Sequence, residues 1–322
     1  MVNIGILGCS EIAFRRFMPA AGKVEGINVV SVAEEYAPEK LDNFCSTYGI
    51  ERESSFLDLI KREDIDAIYV PQPPALHYRW AKCALEHGKH VFVEKPSTTS
   101  YDDTSELVRL AKEKNLALHE NYMFIYHSQI AKAKELADSG VLGQVRLIRA
   151  DFGFPMRQQN DFRYNKELGG GALLDAAGYP VRLATMFLGD TVKVDASSLN
   201  HIDGFEVDFY GSAFLSNEDG LVCQIGYGMD NRYRCSLEIW GSEARLYTDR
   251  IFTAPEGFVP KFYIERQEGT EEIELPADSS FERSIEMFIK EVADVGLRER
   301  SYGQILTQIR LIEEMRQKNT AE

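Results

Sequence analysis

At 322 residues the chain is long enough for two domains with separate cores, and 44% hydrophobic with 27% charged residues is a globular composition. Lys plus Arg is 36 against 51 Asp plus Glu, a formal charge of −15, which argues against nucleic acid or an anionic membrane as a partner. The five cysteines (Cys9, Cys45, Cys83, Cys223, Cys235) are odd in number and form no CxxC pair. They read as reduced thiols of a cytoplasmic protein, and neither a leader-like segment nor a membrane-length apolar run is expected.

In chain order, Val2 to Leu7 is a short apolar strand that runs into Gly8-Cys9-Ser10-Glu11-Ile12-Ala13. This is a variant of the strand–turn–helix fingerprint that binds dinucleotides: Gly8 permits the tight turn and Ala13 is small enough for helix–strand packing. Ser10 replaces the glycine that normally admits the pyrophosphate. A helix over 11–24 and a strand over 27–33 follow, and Glu34 at that strand's end stands where a carboxylate accepts from ribose hydroxyls. Glu34 and Glu35 would repel a 2′-phosphate, which favours NAD over NADP. Helices over 38–48 and 55–61 precede a strand over 67–70 and a rigid loop, Pro71-Gln72-Pro73-Pro74, with a helix over 77–87 beyond. Pro71, Pro73 and His77 are candidate contacts on the nicotinamide side, although His77 reads equally well as an ordinary helix-start residue. His87 and His90 lack a third ligand, so no metal site is expected.

The next strand, Val91-Phe92-Val93, stops at Glu94-Lys95-Pro96. A lysine at the carboxyl end of a buried parallel strand lies where open α/β sheets bind ligands. Ser100 caps a helix over 101–114, and a strand over 117–120 brings the chain to Asn121, a further cofactor candidate. Strands separated by single helices predict a parallel sheet with right-handed crossovers, a dinucleotide-binding domain over 1–121.

From 122 to 322 the rhythm changes. A helix over 129–139 and a long strand over 145–154 precede strands over 207–215, 221–227, 234–240 and 261–266, with helices over 281–295 and 302–318 at the end. No helices separate the later strands, so a large, mostly antiparallel sheet is expected, an α+β domain for substrate and oligomerisation. Its uncovered face predicts a homodimer or homotetramer. Between strands lies Gly169-Gly170-Gly171-Ala172-Leu173-Leu174-Asp175-Ala176-Ala177-Gly178-Tyr179. The glycines open a helix whose free N–H groups are expected to face a ligand. Asp175 and Tyr179, four apart, share a face as a proton-transfer pair. Arg163, which leads into the glycines, is the preferred clamp for a substrate diphosphate, with Arg15, Arg16 and Arg157 behind it. His127 is a further candidate for the substrate pocket.

The Gly8–Ala13 turn, Glu94-Lys95-Pro96 and the Gly169–Tyr179 stretch together resemble the Gfo/Idh/MocA oxidoreductases along essentially the whole chain. Gly8 to Ala20, Glu120-Asn121-Tyr122-Met123-Phe124 and Asp161-Phe162-Arg163-Tyr164 are most similar to the branch of nucleotide-sugar 3-ketoreductases, as is Tyr179 where many members carry His. Glu34 departs from that branch, whose members tend to use NADPH. The resemblance implies hydride transfer between NAD or NADP and a sugar ketone or secondary alcohol. The nicotinamide would lie between the Lys95 strand end and the glycine turn. Tyr179 (free phenol pKa about 10) would act as the acid, Lys95 would lower its pKa, and Asp175 would orient Lys95 or hold a hydroxyl. Glu94 is expected to shape the site or face the cofactor amide. Three other readings stand beside this one: an NAD-dependent dehydrogenase of a free sugar, inositol or dihydrodiol, a dinucleotide-sensing regulator without chemistry, and an NAD-assisted glycosidase on the same scaffold.

Overall fold

The computed structural model describes residues 1–319, in two compact units. The first is Met1–Asn121 with Phe281–Leu306, and the second is Tyr122–Ser280 with the chain from Thr307 onward. A single boundary at 121 therefore misplaces Phe281–Leu306, which returns to the first unit. The cause is burial: Phe288 meets Phe92 edge-on at 5.3 Å, and the Tyr302 hydroxyl donates to the Leu116 carbonyl.

In the first unit six strands, β1 (Val2–Leu7), β2 (Ile27–Ala33), β3 (Glu51–Glu53), β4 (Ala67–Val70), β5 (His90–Val93) and β6 (Leu118–Glu120), form one sheet in the order β3-β2-β1-β4-β5-β6. Every pairing is parallel. The order reverses between β1 and β4, and their carboxyl ends flank the crevice where such sheets bind nucleotides. Helices α1 (Met18–Ala21), α2 (Leu41–Tyr48), α3 (Phe56–Lys61), α4 (Pro74–Glu86) and α5 (Tyr101–Lys114) make the crossovers. Ser55 and Ser100 cap α3 and α5 by accepting from the N–H groups of Asp58 and Asp103. The helix expected from His77 begins at Pro74, because proline has no N–H to lose in a first turn. Strand β3 escaped sequence reading because Glu-Arg-Glu carries no apolar signal. At the centre Phe17 stacks on Tyr69 at 4.0 Å, with Phe92 edge-on to both.

The second unit carries α6 (Ser128–Asp138), β7 (Val145–Gly153), α7 (Gly178–Leu188) and seven more strands. These are β8 (Lys193–His201), β9 (Asp208–Ser216), β10 (Val222–Gly228), β11 (Arg234–Gly241), β12 (Arg245–Thr248), β13 (Lys261–Arg266) and β14 (Gly269–Glu274). The sheet order is β14-β13-β12-β11-β7-β10-β9-β8, antiparallel throughout except between β7 and β10. Strands β8, β12 and β14 were not foreseen; they are polar or only four residues long. Alternate side chains such as Cys235, Leu237 and Ile239 are buried, whereas Tyr210 and Trp240 on the opposite face are 44% and 50% exposed. The last helices are α8 (Ser280–Ala293) and α9 (Val295–Gln317). Helix α9 starts before the expected Tyr302 because Asp294 Oδ1 accepts the N–H groups of Gly296 and Leu297. Among the described residues no helix is long and apolar enough to cross a membrane, and no group of His, Cys, Asp or Glu could hold a metal ion.

Candidate functional site

The dinucleotide turn is built from Gly8 outward. Its φ of +111° is open to glycine and strained for any other residue. Glu34 Oε2 accepts the Cys9 N–H at 2.6 Å, while Oε1 accepts from the N–H groups of Tyr36 and Ala37 at 2.8 and 3.0 Å. The carboxylate foreseen as a ribose acceptor thus also ties β2 to the turn after β1. Burial first, and Glu34 second, push the Cys9 thiol up to about 12, so it is no nucleophile. Ser10 Oγ accepts the Ala13 N–H at 3.2 Å, so the serine in the glycine position caps the helix. Glu11 pairs with Arg15 at the surface, and beyond Ile12 the chain makes a π-turn over Ala13–Phe17. A glycine turn, a helix start and a carboxylate at the end of the second strand fit a dinucleotide.

Across the crevice, His77 is neither a surface helix start nor open to a ligand. It is fully buried, with Nδ1 2.7 Å from the Pro96 carbonyl and Nε2 2.6 Å from that of Gln72. Burial pushes its pKa down to about 4, against the opposite pull of the two carbonyls. The neutral ring has one N–H, so one of the two carbonyls accepts from it, and the imidazole packs between the Pro71–Pro74 loop and the strand end that carries Lys95. The Lys95–Pro96 peptide is cis.

Glu94 is held by a chain of buried side chains. Its Oε1 accepts from the Tyr69 hydroxyl at 2.8 Å and from Asn121 Nδ2 at 2.7 Å. Because the Asn121 amide nitrogen donates, its oxygen must accept, and it takes the Ser284 O–H at 2.8 Å. Ser284 Oγ in turn accepts a hydrogen bond from His119 Nε2 at 2.9 Å, and His119 Nδ1 meets Glu291 Oε2 at 2.9 Å. Burial raises the Glu94 pKa, and the Asn121 and Tyr69 bonds oppose that rise. Glu94 and Asn121 thus serve the strand end from within. His119, Ser284 and Glu291 were missed because they lie far apart in sequence and look like ordinary core and helix residues.

In the second unit Asp175 Oδ2 accepts Arg163 Nε at 2.7 Å, and Arg163 Nη1 reaches Asp161 at 3.0 Å. Two carboxylates already face this guanidinium, which also lies over the Phe162 ring. Arg163, expected as a diphosphate clamp, is thus already engaged with Asp175 and Asp161. His127 is buried, and its Nδ1 caps α6 by accepting the Gln129 N–H. Tyr179, 8% exposed, is ringed by Tyr122, Phe124, Phe152 and Phe252, with centroids 4.7 to 6.0 Å away. Neighbouring Gly178 is required, since a Cβ there would stand 2.0 Å from the Tyr122 hydroxyl.

The triple glycine does not open onto a ligand in the way its sequence suggests. A Cβ at Gly170 would strike the Arg163 carbonyl at 2.4 Å, and one at Gly171 would strike Asp208 Oδ1 at 2.5 Å. The Leu173 N–H, expected to be free, donates to Asp208 Oδ2 at 2.7 Å. These glycines serve close packing, and the helix they open starts with a second π-turn, Leu173–Ala177, that contains Asp175.

Burial raises the Asp208 pKa, against the Leu173 hydrogen bond. A carboxyl whose folded pKa exceeds its unfolded value contributes stability below the unfolded pKa and loses it as pH rises through the folded one. Asp208→Asn, which keeps an oxygen for Leu173, is expected to raise Tm at pH 7 with the gain vanishing near about pH 4. Asp208→Ala is expected to cost about 1–3 kcal/mol by stranding that N–H. Thermal melts of both variants across this range check the account, and an Asn variant less stable at pH 7 than at pH 4, relative to the parent, contradicts it.

Comparison with known proteins agrees with this architecture. Residues 2–122 match the oxidoreductase family with an NAD-binding Rossmann fold, and residues 130–247 match the GFO/IDH/MocA C-terminal domain. The dTDP-3,4-didehydro-2,6-dideoxy-alpha-D-glucose 3-reductase of Saccharopolyspora spinosa is 41% identical over 90% of this chain and 87% of its own. That of Streptomyces violaceoruber is 38% identical over 98% and 95%. The crystal structure of KijD10, a 3-ketoreductase from Actinomadura kijaniata, in complex with NADP and TDP-benzene, superposes with a TM-score of 0.95 at 36% identity, covering 99% of this chain and 98% of that one. The chain belongs to the Gfo/Idh/MocA family of NAD(P)-dependent oxidoreductases.

Proposed function

We propose that the protein reduces the 3-keto group of a nucleotide-linked deoxysugar, with Lys95, Asp175 and Tyr179 as its catalytic residues. The carrying observation is similarity along nearly the whole chain to 3-reductases of such sugars. The lysine and the tyrosine replaced in solved variants of KijD10 lie as far apart in that chain as Lys95 and Tyr179 do here. The dinucleotide, when bound, supplies the hydride. Reduction also needs a proton on the ketone oxygen, and the Tyr179 hydroxyl, among aromatic rings that exclude water, is the donor. Lys95 offers an ammonium to the oxygen as negative charge develops there. Asp175, fixed by Arg163, accepts from a neighbouring sugar hydroxyl.

Tyr179→Phe and Lys95→Ala are each expected to lower turnover of a TDP-linked 3-keto-2,6-dideoxy sugar by about 10²–10⁴. Full activity in either variant would remove that residue from the chemistry. Oxidation of free aldoses or diols in preference to reduction of the linked sugar would favour the dehydrogenase reading.

Glu34 makes NAD the preferred dinucleotide, although the KijD10 complexes hold NADP. A 2′-phosphate beside this carboxylate would meet like charge. The parent is expected to show the higher kcat/KM with NADH than with NADPH. Glu34→Ser narrows the ratio while weakening both, because the Cys9, Tyr36 and Ala37 N–H groups lose their acceptor. A parent that favours NADPH overturns this assignment.

The outward sheet face bearing Tyr210 and Trp240 is the surface on which we expect copies of the chain to associate. Sedimentation of the parent should give a dimer or tetramer, and Trp240→Glu should shift it toward monomer. A monomeric parent would refute the association.

A further inference from the structure

Gln72 lies two residues past β4, at the crevice where the strand order turns, opposite the Gly8 turn that follows β1. It is only 9% exposed, yet neither Oε1 nor Nε2 of its carboxamide has a hydrogen-bond partner. A buried amide with no partner is costly, and here both its donor and its acceptor are unused. Its place is specific. A Cβ built on Gly8 would stand 3.7 Å from Gln72 Cγ, 3.7 Å from Gln72 Nε2 and 3.7 Å from Glu34 Oε2. The carboxamide thus stands over the fingerprint turn, next to the carboxylate that organises it.

Its backbone is fixed as well. The Gln72 carbonyl meets His77 Nε2, and Pro71, Pro73 and Pro74 surround the residue, so the side chain leaves a segment with little freedom to fold away. A polar group held in place, buried and unsatisfied is arranged for something that arrives later.

We propose that Gln72 is a direct ligand of the dinucleotide, its Nε2–H donating to a pyrophosphate oxygen and its Oε1 accepting from a ribose hydroxyl. The inference rests on dinucleotide binding at the Gly8 turn and adds to it a residue that supplies a side-chain donor where Ser10 has replaced the usual glycine. An amide donor on an anionic oxygen is among the stronger neutral-to-charged bonds.

The test is NADH and ADP-ribose binding, by calorimetry on the full chain, for the parent, Gln72→Leu and Gln72→Glu. Gln72→Leu keeps the side chain's approximate volume, removes both polar atoms, and is expected to weaken each ligand about tenfold. Its ligand-free Tm should equal or exceed the parent's, because an unsatisfied amide has gone. Gln72→Glu, which puts a second carboxylate beside Glu34 and the pyrophosphate, should weaken binding further than Leu. Parent-like affinity in Gln72→Leu overturns the proposal, as does a lowered ligand-free Tm, which would mean the amide is satisfied within the protein. A parent that binds neither ligand overturns dinucleotide binding itself and the role of Gln72 with it.

Discussion

The hydrogen bond between the Asn121 amide and the Glu94 carboxylate is the contact on which the candidate site most depends. It joins the ends of two adjacent parallel strands, where backbone pairing stops and polar groups would otherwise be buried without partners. One bond there orients a series. The amide nitrogen is committed to Glu94, so the amide oxygen takes Ser284, Ser284 takes His119, and His119 faces Glu291. A carboxylate raised in pKa by its burial is tolerable only with such donors around it. On the other side of the motif, His77 packs between the Pro96 carbonyl and the Gln72 carbonyl. The strand end carrying Lys95 is therefore fixed by side chains from β4, β6, α4 and α8, none of which touches the substrate in the proposed chemistry.

The second unit solves a similar problem with charge. Asp175 is partly buried on the first turn of a helix, and Arg163 brings it a guanidinium that Asp161 holds in turn. The glycines between them let two backbone segments come closer than side chains would permit, and Asp208 fills the last gap by accepting from Leu173. Their absence of side chains serves the protein's own packing. The helix after the Gly8 turn and the helix after the triple glycine each carry a π-turn, a departure from regular geometry frequent at functional positions. In a π-turn the usual four-residue spacing no longer places side chains on one face, so the shared face inferred for Asp175 and Tyr179 does not follow from their spacing alone.

Glu34 organises the fingerprint turn from the end of the second strand. Its carboxylate accepts three backbone N–H groups, so it cannot be exchanged for a small or basic side chain without remaking the turn. If Glu34 also sets the preference between dinucleotides, as proposed, that preference and the integrity of the turn share one side chain, and a change there would need compensation around Cys9, Tyr36 and Ala37.

By itself the sequence determined the parallel sheet and its crossovers, the switch to an antiparallel sheet near residue 121, and the family. Those rest on local signals: β-branched runs, capping serines, prolines in loops and a glycine turn at a strand end. They place the strand ends before Gly8 and Glu94 because strand, turn and helix there lie within a few consecutive residues. Only the tertiary structure decided what Arg163, His77, His127 and the glycines lie against, that Phe281–Leu306 returns to the first unit, and that the Gln72 carboxamide has no hydrogen-bond partner. For the glycines and the returning segment the partner lies far along the chain, as Asp208 is from Gly171 or Leu116 from Tyr302; for His127 and for Arg163 with Asp161 it is two residues away, but nothing in the local pattern marks it. Periodicity carries the orientation of one element against the core, but not which polar group from another element will stand opposite it.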